Sequence, residues 1–347
     1  MTFVLSMSDR PRHITYSPAV TVVPTYECFN RCSYCNFRAA PGKDTWLDLN
    51  AARQELSIAR ASGVCEVLVL SGEVHPRSLQ RAAWLARIEA LCQLALELGL
   101  LPHTNVGPLD RAEMERLQAV NVSMGLMLEQ LAPELLQTVH RHAPSKDPQV
   151  RLHQLDQAGE LGIPFTTGLL LGIGETPADR VETLAAIAAS QRRWGHVQEV
   201  ILQPHSPGTR QEWQGLGFDL AGLPEVVAIA RSLLPMEIAI QIPPNLACEP
   251  RVLLACLEAG ATDLGGIGPK DEVNPDYAHL QPETLRSLLN PAGWELAPRL
   301  PVYPQYLSWL PPQLQGTVSE WQKRLVSEGD LQPESADRVK NVSRQLP

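Results

Sequence analysis

A closed barrel of eight parallel strands, each followed by a helix, is the α/β fold class that this sequence predicts, on three observations. Short apolar runs alternate with helical patterns along most of the 347 residues; such alternation means a parallel sheet with right-handed crossovers. The runs are nearly continuous, as in strands buried on both faces. Polar residues and glycines gather directly behind the runs, at the end where a (β/α)8, TIM-type barrel places its working loops.

The strands are predicted at 19–23, 64–70, 101–105, 122–128, 164–171, 197–202, 238–242 and, with the weakest pattern, 262–264. Helical segments at 50–62, 77–98, 111–119, 149–161, 178–194, 223–234 and 250–259 fill the intervals. Asp48 and Asp110 stand at N-cap positions, where a carboxylate accepts from the free N–H groups of the first turn. A six-strand partial barrel with a C-terminal extension is the alternative, because the last two units are weakly patterned. From Pro311 the chain turns polar, which predicts a docked helix and then a loose tail. The organisation expected is an N-terminal segment 1–12, a core barrel 13–265, and a C-terminal region 266–347 that closes the barrel and ends in the tail.

Apolar residues make up 44% of the chain, enough for a sizeable core. The net charge is −9 and no cluster of Lys and Arg stands out, which argues against nucleic acid as a partner. No apolar stretch has the length of a membrane span. Residues 1–12 have neither a charged start followed by an apolar core nor a cleavage site, so a cytoplasmic location is expected.

Behind the first strand lies Cys28-Phe-Asn-Arg-Cys32-Ser-Tyr-Cys35, a C-x3-C-x2-C spacing. The other four of the seven cysteines, Cys65, Cys92, Cys248 and Cys256, are dispersed in apolar segments, which is no disulfide framework. Three thiolates and no fourth can hold three irons of a four-iron cube and leave one open for chemistry. A zinc site with a distant histidine, or three buried thiols, are the alternatives. Further polar elements end the later strands: Ser71-Gly72-Glu73, His103-Thr104-Asn105, Glu129, and Gly168-Leu-Leu-Leu-Gly172-Ile-Gly-Glu175. Singly each is an ordinary turn; five in succession on one rim point to a site.

The spacing, with Tyr34 as the aromatic before the last cysteine, resembles the radical S-adenosylmethionine (SAM) enzymes. The resemblance implies one 4Fe–4S cluster on Cys28, Cys32 and Cys35, with SAM chelating the fourth iron and cleaved there to a 5′-deoxyadenosyl radical. Under it the six-strand alternative is the partial barrel of that superfamily. It also implies cofactor contacts. Ser71-Gly72-Glu73 resembles the Gly-Gly-Glu motif at the methionine amino group, Glu129 the acid at the ribose hydroxyls, and Arg151 a partner of the methionine carboxylate. Gly168, Gly172 and Glu175 resemble a G-x-x-x-G-x-x-E motif at the adenine. The segments 140–148, 158–168, 195–203, 243–246, 263–266, 273–275 and 299–304 resemble the CofG family of deazaflavin-forming enzymes, with a departure at Gln203-Pro204-His205.

That resemblance implies a lyase that takes an adduct of a hydroxybenzyl group and a ribitylaminouracil, made by a separate CofH-type enzyme, and closes its central ring with loss of ammonia. An external electron donor is required; no membrane and no nucleic acid take part. Another radical SAM cyclase or lyase, such as a menaquinone-pathway enzyme, is the alternative. Thr104, Asn105, Gln198 and Gln203 are candidate substrate contacts, and Gly265-Gly266 a candidate seat for the ribityl chain.

Overall fold

The computed structural model describes residues 12–329. The first six strand–helix units are β1 (Arg12–Val22), α1 (Leu49–Ala61), β2 (Glu66–Leu70), α2 (Arg81–Glu97), β3 (Leu101–Asn105), α3 (Arg111–Gln118), β4 (Ser123–Gly125), α4 (Pro148–Glu160), β5 (Phe165–Leu171), α5 (Pro177–Trp194), β6 (Val197–Pro204) and α6 (Leu223–Leu233). The chain continues through β7 (Ala239–Gln241), α7 (Pro250–Glu258), β8 (Asp263–Ile267), α8 (Pro282–Leu289), β9 (Trp294–Pro298) and α9 (Pro312–Gly329). Neighbours in the order β2-β3-β4-β5-β6-β7-β8-β1 are hydrogen-bonded, and β1 also pairs with β2. The eight strands therefore close, and the six-strand alternative falls.

The predicted caps form. Asp48 accepts from the amides of Asn50 and Ala51, and Asp110 makes a reciprocal capping box with Glu113. Leu56 of α1, Trp84, Ile88 and Leu91 of α2, and Leu184 and Ile187 of α5 are fully buried against the strands. Each such side chain contributes roughly 1.5–3 kcal/mol. No helix among the described residues is long and apolar enough to cross a membrane.

Three elements depart from the sequence reading. β1 begins at Arg12, inside the expected N-terminal segment, and β9 and α8 were not anticipated. Arg12–Tyr16 of β1 pairs in parallel with Trp294–Pro298, while Ala19–Val22 pairs with Glu66–Val69 of β2. One long strand thus serves two partners along one edge. The sequence Trp-Glu-Leu-Ala-Pro has no strand pattern by itself; the open ladder of β1 makes it a strand. The expected division at 265/266 lies inside β8. Residues 1–11 and the tail from 330 lie outside the described residues.

After β9 the chain crosses the N-terminal mouth of the barrel. Pro301 O accepts from Ser123 Oγ at 2.7 Å and from Gln198 Nε2 at 3.0 Å, and Tyr306 Oη donates to Val197 O at 3.1 Å. This crossing gives the barrel interior a floor.

Candidate active site

The strand ends open onto a chamber of about 360 Å³. The loop between β1 and α1 forms its roof and carries Cys28, Cys32 and Cys35; Glu66, His103, Glu199 and Arg299 lie deep in it. The roof loop is tied from several directions. Phe29 N donates to Glu73 O at 3.0 Å, Arg31 N to His142 O at 2.8 Å and Ser33 N to Val139 O at 3.0 Å. Tyr34 anchors it on an apolar cluster of Ala132, Leu135, Val139, Leu170 and Ile173. Its hydroxyl lies 3.0 Å from His140 Nε2, and its ring meets those of His140 and His205 edge-on.

The β2 loop touches this roof closely. A Cβ on Gly72 would come within 2.1 Å of the Glu27 carbonyl oxygen, so only glycine permits the approach. Ser71 fits before it because its hydroxyl turns inward, accepting from Trp84 Nε1 at 3.0 Å and donating to Gly72 O at 2.9 Å.

At the rim, two acids meet two bases. Glu73 accepts from Asn30 Nδ2 at 2.8 Å, from Ser145 Oγ, and from Arg151 Nη2 at 3.4 Å. Glu129 accepts from Lys146 Nζ at 2.5 Å, with Arg151 Nη1 at 3.8 Å. Arg151 is only 2% exposed and is held by the carbonyls of Ser145 and Met127. Burial opposes ionisation of Glu129, but Lys146 and then Arg151 outweigh it and hold its carboxyl below the usual range. Glu129 also has φ 63°, alone among the described non-glycine residues. Its amide donates to Gly168 O and its carbonyl accepts from Leu170 N, both at 3.2 Å, so β5 enforces the strain.

Not every predicted residue reaches the chamber wall. Glu175 turns back on its own loop, accepting from Gly172 N at 2.8 Å, Ile173 N at 2.9 Å and Arg180 Nε at 2.8 Å. A Cβ on Gly168 would meet Ile201 O at 2.3 Å, and Gly172, at φ 84°, sits against Phe218. The bare backbone at these glycines faces β6 and Phe218. Asn105 and Gln203 line the chamber. Thr104 and Gln198 do not: Thr104 Oγ1 donates to Asn121 Oδ1 at 2.6 Å, and Gln198 is bonded to Pro301 O beneath the floor. Gly266 lines the chamber, and a Cβ there would lie 4.0 Å from Glu66 Oε2.

The floor is an acid-rich cluster. Asp263 takes two bonds from Arg299, from Nε at 2.5 Å and Nη2 at 2.7 Å. Glu199 Oε1 accepts from Arg299 Nη2 at 2.7 Å, and Oε2 lies 3.2 Å from Thr166 Oγ1. Burial pushes Glu199 up to about 8, with Asp263 adding to the effect against Arg299, and burial raises Glu66 as well. Burial and the nearby Arg299 push His103 down to about 3, so its ring is neutral.

Residues 22–187 match the model of the radical SAM superfamily. A protein of Trichormus variabilis named 7,8-didemethyl-8-hydroxy-5-deazariboflavin synthase is 63% identical over 312 residues, 90% of this chain and 92% of that one. One of the same name from Thermosynechococcus vestitus is 66% identical, over 90% of this chain and 99% of that one. This chain belongs to the deazariboflavin synthase family of radical SAM enzymes. Solved structures agree on the fold. The FeFe-hydrogenase maturase HydG of Carboxydothermus hydrogenoformans superposes with TM-score 0.69 at 19% identity, over 96% of this chain and 81% of that one. Methylornithine synthase (PylB) gives 0.63 at 17%, over 83% and 84%.

Radical SAM enzymes of this family carry a 4Fe–4S cluster on three cysteines and bind SAM. The residues present fit both. All three thiols line the chamber. Burial pushes Cys28 up to about 11 and Cys32 up to about 12, with Lys146 offsetting only part of it at Cys32, so iron is what would make them thiolates. Among the described residues no three His, Cys, Asp or Glu side chains converge on a single ion. A cube needs only that each thiol reach its own iron, which suits the loop better than mononuclear zinc does. Glu73, Glu129, Lys146 and Arg151 beside the loop offer both signs of charge to a zwitterionic methionine group.

Lys146, Glu66 and Glu199 were missed from the sequence, as were the roles of Asp263 and Arg299, while His103 was read there as part of a strand-end element. Lys146 ends a single 3₁₀ turn, Pro144–Lys146, too short to carry a periodic signal. Glu66, Glu199 and Asp263 did leave one, because an acid in a strand buried on both faces needs a partner.

Proposed function

We propose that this enzyme closes the central ring of the deazaflavin chromophore. It converts 5-amino-5-(4-hydroxybenzyl)-6-(D-ribitylimino)-5,6-dihydrouracil to 7,8-didemethyl-8-hydroxy-5-deazariboflavin with loss of ammonia, a carbon–nitrogen lyase reaction in coenzyme F-420 biosynthesis. The observation that carries the reading is a chamber at the strand ends with a three-thiol loop at one end and polar groups at the other, in a chain 66% identical to a synthase of that name. The cluster and SAM, when bound, supply one electron and a hydrogen-abstracting radical.

The chain's own residues do the rest. Cys28, Cys32 and Cys35 hold the cluster, and Tyr34 fixes their loop. Ser71, Gly72 and Glu73 receive the methionine amino group, Arg151 its carboxylate and Glu129 the ribose hydroxyls, where a carboxylate is a double acceptor. Gly168, Gly172 and Glu175 act by shaping the β5 loop against which Glu129 is strained. From the C-terminal region, Asp271, Val273, Asn274, Arg299 and Pro301 line the chamber and help to close it. The walls of Leu68, Leu70, Leu126, Ile201 and Leu264 exclude water from the radical. The adduct loses ammonia, one hydrogen atom to the adenosyl group, one electron back to the donor that supplied one, and one proton.

The test uses protein reconstituted without air. With SAM, a reductant and the purified adduct, or with a CofH-type enzyme, tyrosine and the aminouracil, a fluorescent 8-hydroxy-5-deazaflavin, 5′-deoxyadenosine and ammonia should form. Without the partner enzyme or its adduct no deazaflavin should form. Deazaflavin made unaided, or indifference to the adduct, overturns the reading.

A further inference from the structure

The hydrogen bonds at the floor fix which of its groups are left to meet a ligand. Pro301 O can only accept, so the Ser123 hydroxyl, 2.7 Å away, donates to it. Ser123 Oγ, 2.7 Å from His103 Nδ1, must then accept from that nitrogen. The proton of this neutral ring is therefore on Nδ1, and Nε2 carries a lone pair. His103 is 6% exposed and lines the chamber, yet nothing among the described residues donates to Nε2.

The neighbouring groups have the same polarity. Glu66 and Glu199 line the chamber and are buried. The one base beside them is almost fully spent: Arg299 gives Nε to Asp263, Nη1 to Leu300 O, and Nη2 to Glu199 and Asp263. The floor thus offers the lone pair of His103 Nε2 and the carboxyl groups of Glu66 and Glu199, which accept, and which donate where burial keeps a proton on them. In a pyrimidine edge the N–H between two carbonyls brings their oxygens against the lone pair of His103 Nε2 and the carboxyl oxygens beside it. A chain of hydroxyls suits such a floor, since each hydroxyl both donates and accepts and a vicinal pair can reach the two oxygens of one carboxyl group. Gly266 leaves room beside Glu66 for such a chain. The amides of Asn105 and Gln203, which both donate and accept, also line the chamber and suit the pyrimidine.

We infer that Glu66, Glu199 and His103 Nε2 form a polyol-binding floor, which seats the ribityl chain of the substrate deepest and leaves its aromatic rings toward the cysteine loop. This rests on the adduct being the substrate, and it adds the direction in which the adduct enters.

The product's own fluorescence allows a direct binding test that does not depend on turnover. The whole reconstituted protein is titrated with 8-hydroxy-5-deazaflavin carrying N-ribityl and with the same ring carrying N-methyl. The ribityl form should bind at least about tenfold tighter, the worth of one good hydrogen bond. The gap should shrink in Glu66→Gln and in His103→Gln, whose melting temperatures and iron contents are checked in parallel. Two variants on different strands keep the test open if one fails to fold. Equal affinities, no binding of either ring, or a gap that survives both variants overturns the inference. Turnover of the adduct by the unmodified protein is assayed separately. Turnover with equal affinities would leave the proposed reaction standing and remove only the orientation.

Discussion

The rim and the floor of one chamber treat charge in opposite ways. At the rim Glu73 and Glu129 face Lys146 and Arg151, two acids against two bases. At the floor Glu66, Glu199 and Asp263 face Arg299, three against one. Matching keeps the rim ionised: Glu129 is held below its usual range, and Glu129 keeps Lys146 above its own although burial and Arg151 push it down. At the floor Arg299 wins only for Asp263, held below the usual range although burial pushes it up. The surplus falls on Glu199 and Glu66. A matched web is one whose pairs a zwitterionic ligand can replace with its own amino and carboxylate groups. An unmatched acid cluster retains protons and invites donors.

The most severe test of the rim removes what the web surrounds. Cys28→Ala, Cys32→Ala or Cys35→Ala should each lower iron in the reconstituted protein from about four per chain to a small residue and abolish turnover. Full iron content in any of them would remove that cysteine from the ligand set. At the floor, Asp263→Asn strips the buried Arg299 of its bidentate partner. It should destabilise the fold by about 3–5 kcal/mol, read as a shift in denaturant midpoint. A loss under about 1 kcal/mol would mean that Glu199 alone satisfies Arg299.

Glu129→Gln and Arg151→Ala probe the matched side more gently. Iron should stay, while SAM affinity in equilibrium binding should fall by about 1.5–3 kcal/mol. Unchanged affinity in both would move the cofactor site off this web.

A pH series separates the two regions further. Glu199 titrates at about 8 in the folded chain against 4.5 for the free side chain. Between those values the folded state keeps a proton that the unfolded state has lost. The stability tied to this group is therefore complete below the lower value and lost as pH rises through the upper one. Glu199→Gln cannot ionise, so its melting temperature should gain on that of the unmodified chain from about pH 5 to about pH 8.5. A constant difference would mean that Arg299 keeps Glu199 ionised throughout. The smallest effect expected is that of Tyr34→Phe, which removes the hydroxyl 3.0 Å from His140. It should cost about 1 kcal/mol in thermal stability and leave the iron in place.

The sequence by itself determined the alternation, and with it the barrel. Apolar runs at nearly every strand and Asp48 and Asp110 at their caps are local signals, and local chain geometry decides them. The roof was also readable, because Cys28, Cys32, Cys35 and Tyr34 share one loop whose spacing survives any packing. Arg151 was expected only through the family resemblance, as a partner of the methionine carboxylate; that the carbonyls of Ser145 and Met127 hold it was not legible. The tertiary structure alone decided the rest. Gly168, Gly172 and Glu175 form a convincing string in sequence, yet their neighbours across space, Ile201, Phe218 and Arg180, turn them to the loop's own architecture. β9 exists because β1 offers it an open edge. The floor gathers residues from β2, β3, β6, β8 and the segment after β9, whose mutual distances no one-dimensional pattern contains. Its character, three carboxylates against one guanidinium, arises only when closure of the barrel removes water from them all at once.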